Sequence, residues 1–349
     1  MVDTMALLPP FVRPTRMKRT PSRPVGPPAD DEVLLDAPDD RLGPALVAAG
    51  SGDHRAAAEL LAATRAAAEW ENRDRYTRRL AGFARSRSEW FEEWRKAAPD
   101  DPDGLLVGAQ LAVDRAWPSP ARTELLRELN PLITAAARGD ARDPVPWRLA
   151  LDHARGSLAG PRYFEELWEA AVRRAPHHYG CHVAALRYLA ASWHGSHREC
   201  FDFADLAAQD APADSLVQAL PARAALGYLT DGCGPEVPRE RLEAAADRAI
   251  ALSARFPAAD PWPAEIRNKL TYVLMRLGRR EDARAQLRLI GPYATSFPWE
   301  RVSDDPLGHF LRLREELRTA APRSGRSGLV PAPLRPRSEH RGHVPAGDH

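Results

Sequence analysis

Lysine is scarce in this chain: of 49 basic residues, only Lys18, Lys96 and Lys269 are not arginine. Alanine, proline and glycine are plentiful beside the arginine, and all four have GC-rich codons. Codon usage is the plain explanation of the arginine wealth, and a ligand-binding role for arginine is the sharper alternative. Long uncharged runs are also missing. The longest stretch without Lys, Arg, Asp or Glu is 12 residues, 175–186, short of the ~18–20 apolar residues that a membrane span needs. The first apolar patch is interrupted by Pro9-Pro10 and preceded by Asp3, so no signal peptide is expected. Net charge is nearly absent, at +1, which argues against a nucleic-acid binder that must displace counterions along a basic stripe. Cysteine is limited to Cys181, Cys200 and Cys233. With no CxxC pair and an odd count, a disulfide scaffold is not expected and a cytoplasmic location is. No GxSxG, HExxH, GxxxxGK[ST] or strand-bound GxGxxG occurs.

The 349 residues suit two average domains or one repeat array. Charge is unevenly placed along them. Residues 1–28 carry five basic groups and one acid, and 321–349 carry five and two, leaving 39 basic and 45 acidic groups on 29–320. The first 28 residues hold seven prolines and no sustained periodicity. Both ends, 1–28 and 321–349, read as disordered tails.

Between the tails the pattern is helical. Val183, Leu186, Ala190 and Trp193 form one apolar stripe. Cys200, Phe203, Ala204 and Ala207 form another, opposite Arg198, Asp202, Asp205 and Gln209. Leu242, Ala245, Ala249, Leu252 and Phe256 form a third. No stretch alternates with period two, so no sheet is expected. Helix starts are marked at Asp101-Pro102, Ser119-Pro120, Asp143-Pro144, Asp260-Pro261 and Asp305-Pro306, where an oxygen can accept an orphan N–H and proline lacks one. Ser196 and Glu199 form a capping box, with Gly195 expected at the left-handed end of the preceding helix and Trp193 buried between hairpins.

Punctuating prolines at 99, 144, 176, 212, 257 and 298 are 45, 32, 36, 45 and 41 residues apart, the period of a two-helix unit. Residues 91–117 and 167–193 each run from a Trp-bearing helix through Ala-Pro to an apolar helix ending near Trp. Such units must stack to bury their faces.

Residues 264–298, AEIRNKLTYVLMRLGRREDARAQLRLIGPYATSFP, resemble a tetratricopeptide repeat. Leu270, Gly278, Ala283 and Leu287 stand at its characteristic apolar, turn and small positions. Thr271 replaces the usual small residue and Arg267 the usual Trp. The resemblance covers about a tenth of the chain and implies that Glu265, Asn268, Tyr272 and Arg276 line a concave, partner-binding surface. Ordinary exposed helix positions are the alternative for these four. Trp193-His194-Gly195-Ser196 followed by Phe203-Ala204 resembles a bacterial family of unknown function with similar helical hairpins. That likeness would span about 145–298 and implies no activity.

One cluster could carry chemistry. His178, Cys181, His182, His194, His197 and Cys200, with His177, fall between 177 and 200, and imidazole and thiolate are zinc's preferred ligands. From His182 to His194 is ~18 Å along a helix at ~1.5 Å per residue, which argues against one shared site. Adjacent carboxylates at Glu92-Glu93, Glu165-Glu166 and Glu315-Glu316 point ~100° apart and do not form an acid–base pair. The nine tryptophans read as rings bridging stacked helices, with a base-stacking or ligand cage as the alternative.

The expectation is therefore an all-α fold: an α-solenoid, a right-handed tetratricopeptide-like superhelix of roughly five to seven antiparallel hairpins over 29–320. Its expected function is non-enzymatic binding of a peptide or protein partner, without cofactor, nucleic acid or membrane. A metal-dependent enzyme using 177–200 is the alternative, and a sensor whose basic tails dock on the acidic body is a third reading.

Overall fold

The structure is a computed structural model that describes residues 33–35, 37–231 and 235–319. The two tails and Cys233 lie outside the described residues. The described chain is almost entirely helical, with seventeen α-helices, one short 3₁₀ turn at Leu216–Ala219 and two strands of two residues.

Most helices pack against the next in chain order, and many also against the one after. Helices α1 (Leu42–Gly50), α2 (Arg55–Ala66), α3 (Trp70–Ser86), α4 (Glu89–Ala97) and α5 (Pro102–Ala116) share a core built on Leu61, Leu80, Trp90, Trp94 and Val107. Next come α6 (Arg122–Glu128), α7 (Asn130–Ala137) and α8 (Val145–Gly156), joined to α5 through Leu106, Leu126, Ile133 and Leu149. Then α9 (Pro161–Arg174) and α10 (Tyr179–Tyr188) pack on α8 through Leu151, Phe164, Ala171 and Ala185. The last and largest core joins α10 to α11 (His197–Asp210), α12 (Leu220–Asp231), α13 (Arg239–Ser253), α14 (Ala264–Leu277), α15 (Arg280–Ile290), α16 (Ser296–Val302) and α17 (Pro306–Thr319). Burying an apolar stripe against neighbours on two sides is the main source of helix stability here, since most of these helices are too short to persist alone.

Local chemistry sets the helix ends. Two of the five Asp-Pro and Ser-Pro sites start helices as the sequence suggests, since α5 begins at Pro102 after Asp101 and α17 at Pro306 after Asp305, whereas α6, α8 and α14 begin one to three residues beyond their prolines, at Arg122, Val145 and Ala264. Asp101, Ser119, Asp143 and Asp260 each accept the backbone N–H two residues on, at 2.8–3.2 Å, and Asp305 accepts that of Gly308 at 2.9 Å. Gly278 takes φ +77° between α14 and α15, a conformation that costs glycine nothing.

The segment 189–196 departs from expectation. Helix α10 ends at Tyr188, so Ala190 and Trp193 do not continue its stripe, and Trp193 is half-buried rather than enclosed. Gly195 does not adopt a positive φ. It is glycine for lack of space, since a Cβ there would lie 2.4 Å from the Leu189 carbonyl oxygen. Ser196 does cap α11. Its Oγ accepts from the Glu199 N–H at 3.2 Å and donates to the Glu199 carboxylate at 2.8 Å, so the reciprocal contact runs through the hydroxyl.

Two features tie distant parts of the chain together. Helix α3 touches both α8 and α10, placing its polar face inside the array. Strands β1 (Leu34–Leu35) and β2 (Tyr293–Ala294) pair in parallel, with the Leu34 N–H donating to the Pro292 carbonyl at 2.8 Å. The segment before α1 therefore meets the connection between α15 and α16.

Candidate functional site

The helices enclose two hollows that share Arg78, Arg223, Phe297 and Glu300 in their walls. One has a volume of 580 Å³ and is bounded by α3, α5, α8, α10 and α12. The other, of 700 Å³, lies between α3, α10, α14 and the paired strands. Both are in the size range of ligand pockets. Their linings are charged, which is the unusual feature.

The first hollow has six arginines in its wall (78, 148, 155, 187, 223 and 301) against Asp114, Asp152, Asp231 and Glu300. On α8, Arg148, Asp152 and Arg155 stand at i, i+4 and i+7, one helix face. Arg148 is 2% exposed and pairs with Asp74 of α3 at 2.8 Å, while donating to Gln110 Oε1 at 2.5 Å. Asp74 also holds Arg78 at 2.6 Å. Burial alone would raise the Asp74 pKa, but Arg148 and Arg78 outweigh it and hold the carboxyl far below the usual carboxylate range. Arg301 is held by Asp231.

Asp152 is shared less tightly. Arg148 and Arg187 approach it at 3.6 Å and Arg155 at 3.5 Å, all beyond ordinary hydrogen-bond length. Asp152 Oδ1 and Arg155 Nε are buried without a hydrogen-bond partner. Burial, reinforced by the charge of Arg223, pushes Arg187 down to about 10. The Arg155 guanidinium lies 4.3 Å from the Trp117 ring centre and 4.7 Å from that of Trp193. Cation–π contact takes the flat faces of the guanidinium and leaves its N–H edge in plane.

In the second hollow, Glu265 pairs with Arg223 at 2.9 Å and Lys269 at 3.2 Å. Burial acts to raise its pKa, and Lys269 and Arg223 hold it well below the usual carboxylate range. Lys269, 2% exposed along its side chain, also donates to Tyr179 Oη at 2.7 Å. Glu71 accepts the Tyr179 N–H. Burial pushes the Glu71 carboxyl up to about 8, against the pull of that hydrogen bond. Gly180 permits the approach of α10 to α3, since a Cβ there would collide with Asp74 at 2.2 Å.

Of the four residues marked by the repeat resemblance, Glu265 faces this hollow. Asn268 is fully buried, accepting from Trp299 Nε1 at 2.8 Å and donating to the Ala264 carbonyl at 2.9 Å. Tyr272 is buried against Trp299, and its hydroxyl accepts from Arg276 at 3.0 Å. Arg276 reaches the Leu229 carbonyl at 3.4 Å. In this arrangement the last three hold helices together.

The His/Cys residues separate into two groups at opposite ends of α10. His178 caps α10 by accepting the Cys181 N–H at 3.3 Å, and its Nδ1 lies 3.1 Å from Cys181 Sγ. Burial lowers the His178 pKa to about 4 and raises that of the Cys181 thiol well above its usual range. His182 donates to the His178 carbonyl at 3.0 Å and meets Trp168 edge-on. At the other end His194 stacks on Tyr188, and His197 meets Tyr228 edge-on. Cys200 donates to the Leu189 carbonyl at 3.2 Å, and burial pushes its thiol up to about 12. Among the described residues no three His, Cys, Asp or Glu groups converge as metal ligands would. No described helix is long and apolar enough to cross a membrane.

Sequence reasoning missed the arginine-lined hollow because its arginines come from five helices spread along the chain. A local signal existed in the alternating charges of Arg148, Asp152 and Arg155 on a helix that also buries Leu149 and Leu151. Comparisons with protein-family models, with curated proteins and with solved structures give no match to this chain.

Proposed function

We propose that the chain is a tetratricopeptide-like superhelix that acts without catalysis, binding a segment of a partner protein in its polar interior. The carrying observation is the hollow of 580 Å³ with arginines and two tryptophan rings in its wall. Ser192 and Glu300 in that wall are exposed, so the space opens to solvent. An extended segment would present backbone groups to the polar walls, and a few of its side chains would set specificity. The short helices and the predominance of packing between helices close in the chain support the superhelix reading. The glycine hinge of α14 and α15 and the small, buried Ala283 support the repeat resemblance.

A displayed random-peptide library tests the reading. Panning on the full chain should enrich related sequences that bind in solution. Gly227 lines the first hollow, and a side chain added there would meet nothing within 4 Å. A photoreactive residue at 227 should therefore cross-link an enriched peptide, while one at exposed Arg173 should not. Absence of enrichment, or cross-linking only at 173, would sink the proposal.

A further inference from the structure

We propose that Arg155 and Arg187, on either side of Asp152, form a receptor for one oxyanion, a carboxylate or a phosphate monoester. This deepens the binding reading above by naming the chemistry of one group on the ligand.

Charge accounting around the first hollow isolates these two residues. Arg78 and Arg148 have Asp74, Arg223 has Glu265 and Arg301 has Asp231. Arg155 and Arg187 are left with Asp152, which Arg148 also approaches. Three guanidiniums thus address one carboxylate, each at 3.5–3.6 Å.

An ion pair adapted only to stabilise the fold would close to ~2.8 Å and use bidentate geometry. Here the contacts stay open, and Arg155 Nε has no hydrogen-bond partner although the residue is only 8% exposed. Its orientation is set by Trp117 and Trp193 over the guanidinium, so the donor edge is held in place before any ligand arrives. Arg187 is the more accessible partner, with its side chain 38% exposed. Both line the same hollow. An oxyanion between them would accept from both guanidiniums, which otherwise share the one carboxylate of Asp152. Arginine suits this role because its planar fork matches carboxylate and phosphate oxygens.

The test measures thermal stabilisation of the full chain against three probes, with NaCl at matched ionic strength as the reference. The probes are a hexaglutamate peptide, a phosphoserine peptide of the same length, and inorganic phosphate. At least one should raise Tm saturably above the NaCl reference. Arg187→Gln should weaken that probe at least tenfold, and Arg173→Gln, an exposed arginine of α9, should leave it unchanged. Arg155→Gln should act like Arg187→Gln if it folds; the partly exposed Arg187 keeps the test decisive if it does not. The tighter peptide identifies the source of the oxyanion. Stabilisation by inorganic phosphate alone, sensitive to Arg187, would uphold the receptor and remove the peptide reading. Stabilisation no greater than NaCl, or untouched by Arg187→Gln, would overturn the receptor.

Discussion

Glu71 and His178 face each other at 3.9 Å, and their pKa values are displaced in opposite directions. The Glu71 carboxyl titrates near 8 in the folded protein against 4.5 when free, so the folded state binds the proton more strongly. Its stabilising effect is complete below pH 4.5 and is lost as pH rises through 8. His178 titrates near 4 against 6.5, so its contribution is present above 6.5 and lost as pH falls toward 4. The two effects oppose each other between about 4.5 and 6.5, and from 6.5 to 8 that of Glu71 stands without opposition from His178. Stability should fall with pH in that upper window, with a slope approaching about 1.4 kcal/mol per unit for one proton. Glu71→Gln keeps an acceptor for the Tyr179 N–H and should flatten this slope. Urea unfolding at pH 6.5, 7.25 and 8 measures it, and an unchanged slope in the variant would refute the assignment.

At the scale of elements, Arg267 shows how one departure from a repeat pattern becomes structural. It stands where the resembled family usually carries Trp, and it is 1% exposed. Its guanidinium donates to the carbonyls of Ser253, Phe256 and Pro257 at 2.8–2.9 Å and to Ser253 Oγ at 3.0 Å. Ser253 in turn donates to Gln286 at 2.8 Å. One side chain on α14 thus satisfies the end of α13 and connects it to α15. Arg267→Met would take the guanidinium donor from the Phe256 and Pro257 carbonyls, while the Ser253 carbonyl keeps the Phe256 N–H, and should cost at least about 2 kcal/mol, at ~1–3 kcal/mol per buried acceptor. Arg173→Met on the surface should cost under about 0.5 kcal/mol. Denaturant midpoints compare the two, and near-equal values would contradict this account. The same contrast explains what was legible in the sequence. Caps such as Asp101 and stripes such as Leu242–Leu252 are local and read directly. The end of α10 at Tyr188 and the space shortage at Gly195 depend on how the chain folds back over Leu189. The arginine-lined site depends on placing α3 beside α8 and α10, which periodicity does not encode.

At the scale of the whole molecule, β1 and β2 join residues nearly 260 positions apart, whereas most other packing is between near neighbours in the chain. The second hollow has this pairing in its wall, since Leu34, Leu35 and Tyr293 line it. Helices that pack on near neighbours form contacts cheaply, because the intervening chain is short, whereas joining β1 to β2 carries a larger loop-closure entropy. The seam should therefore form late, after the helices have stacked. Leu34→Pro removes the N–H that bonds to Pro292. It should speed unfolding severalfold while leaving the refolding rate nearly unchanged, as for interactions absent from the transition state. Stopped-flow chevrons would reveal this as a shift in the unfolding limb alone, and a slowed folding limb would place the seam in the nucleus instead. A late, weak seam of two residues also makes the closed array a clasp: its opening would widen the second hollow without melting a single helix.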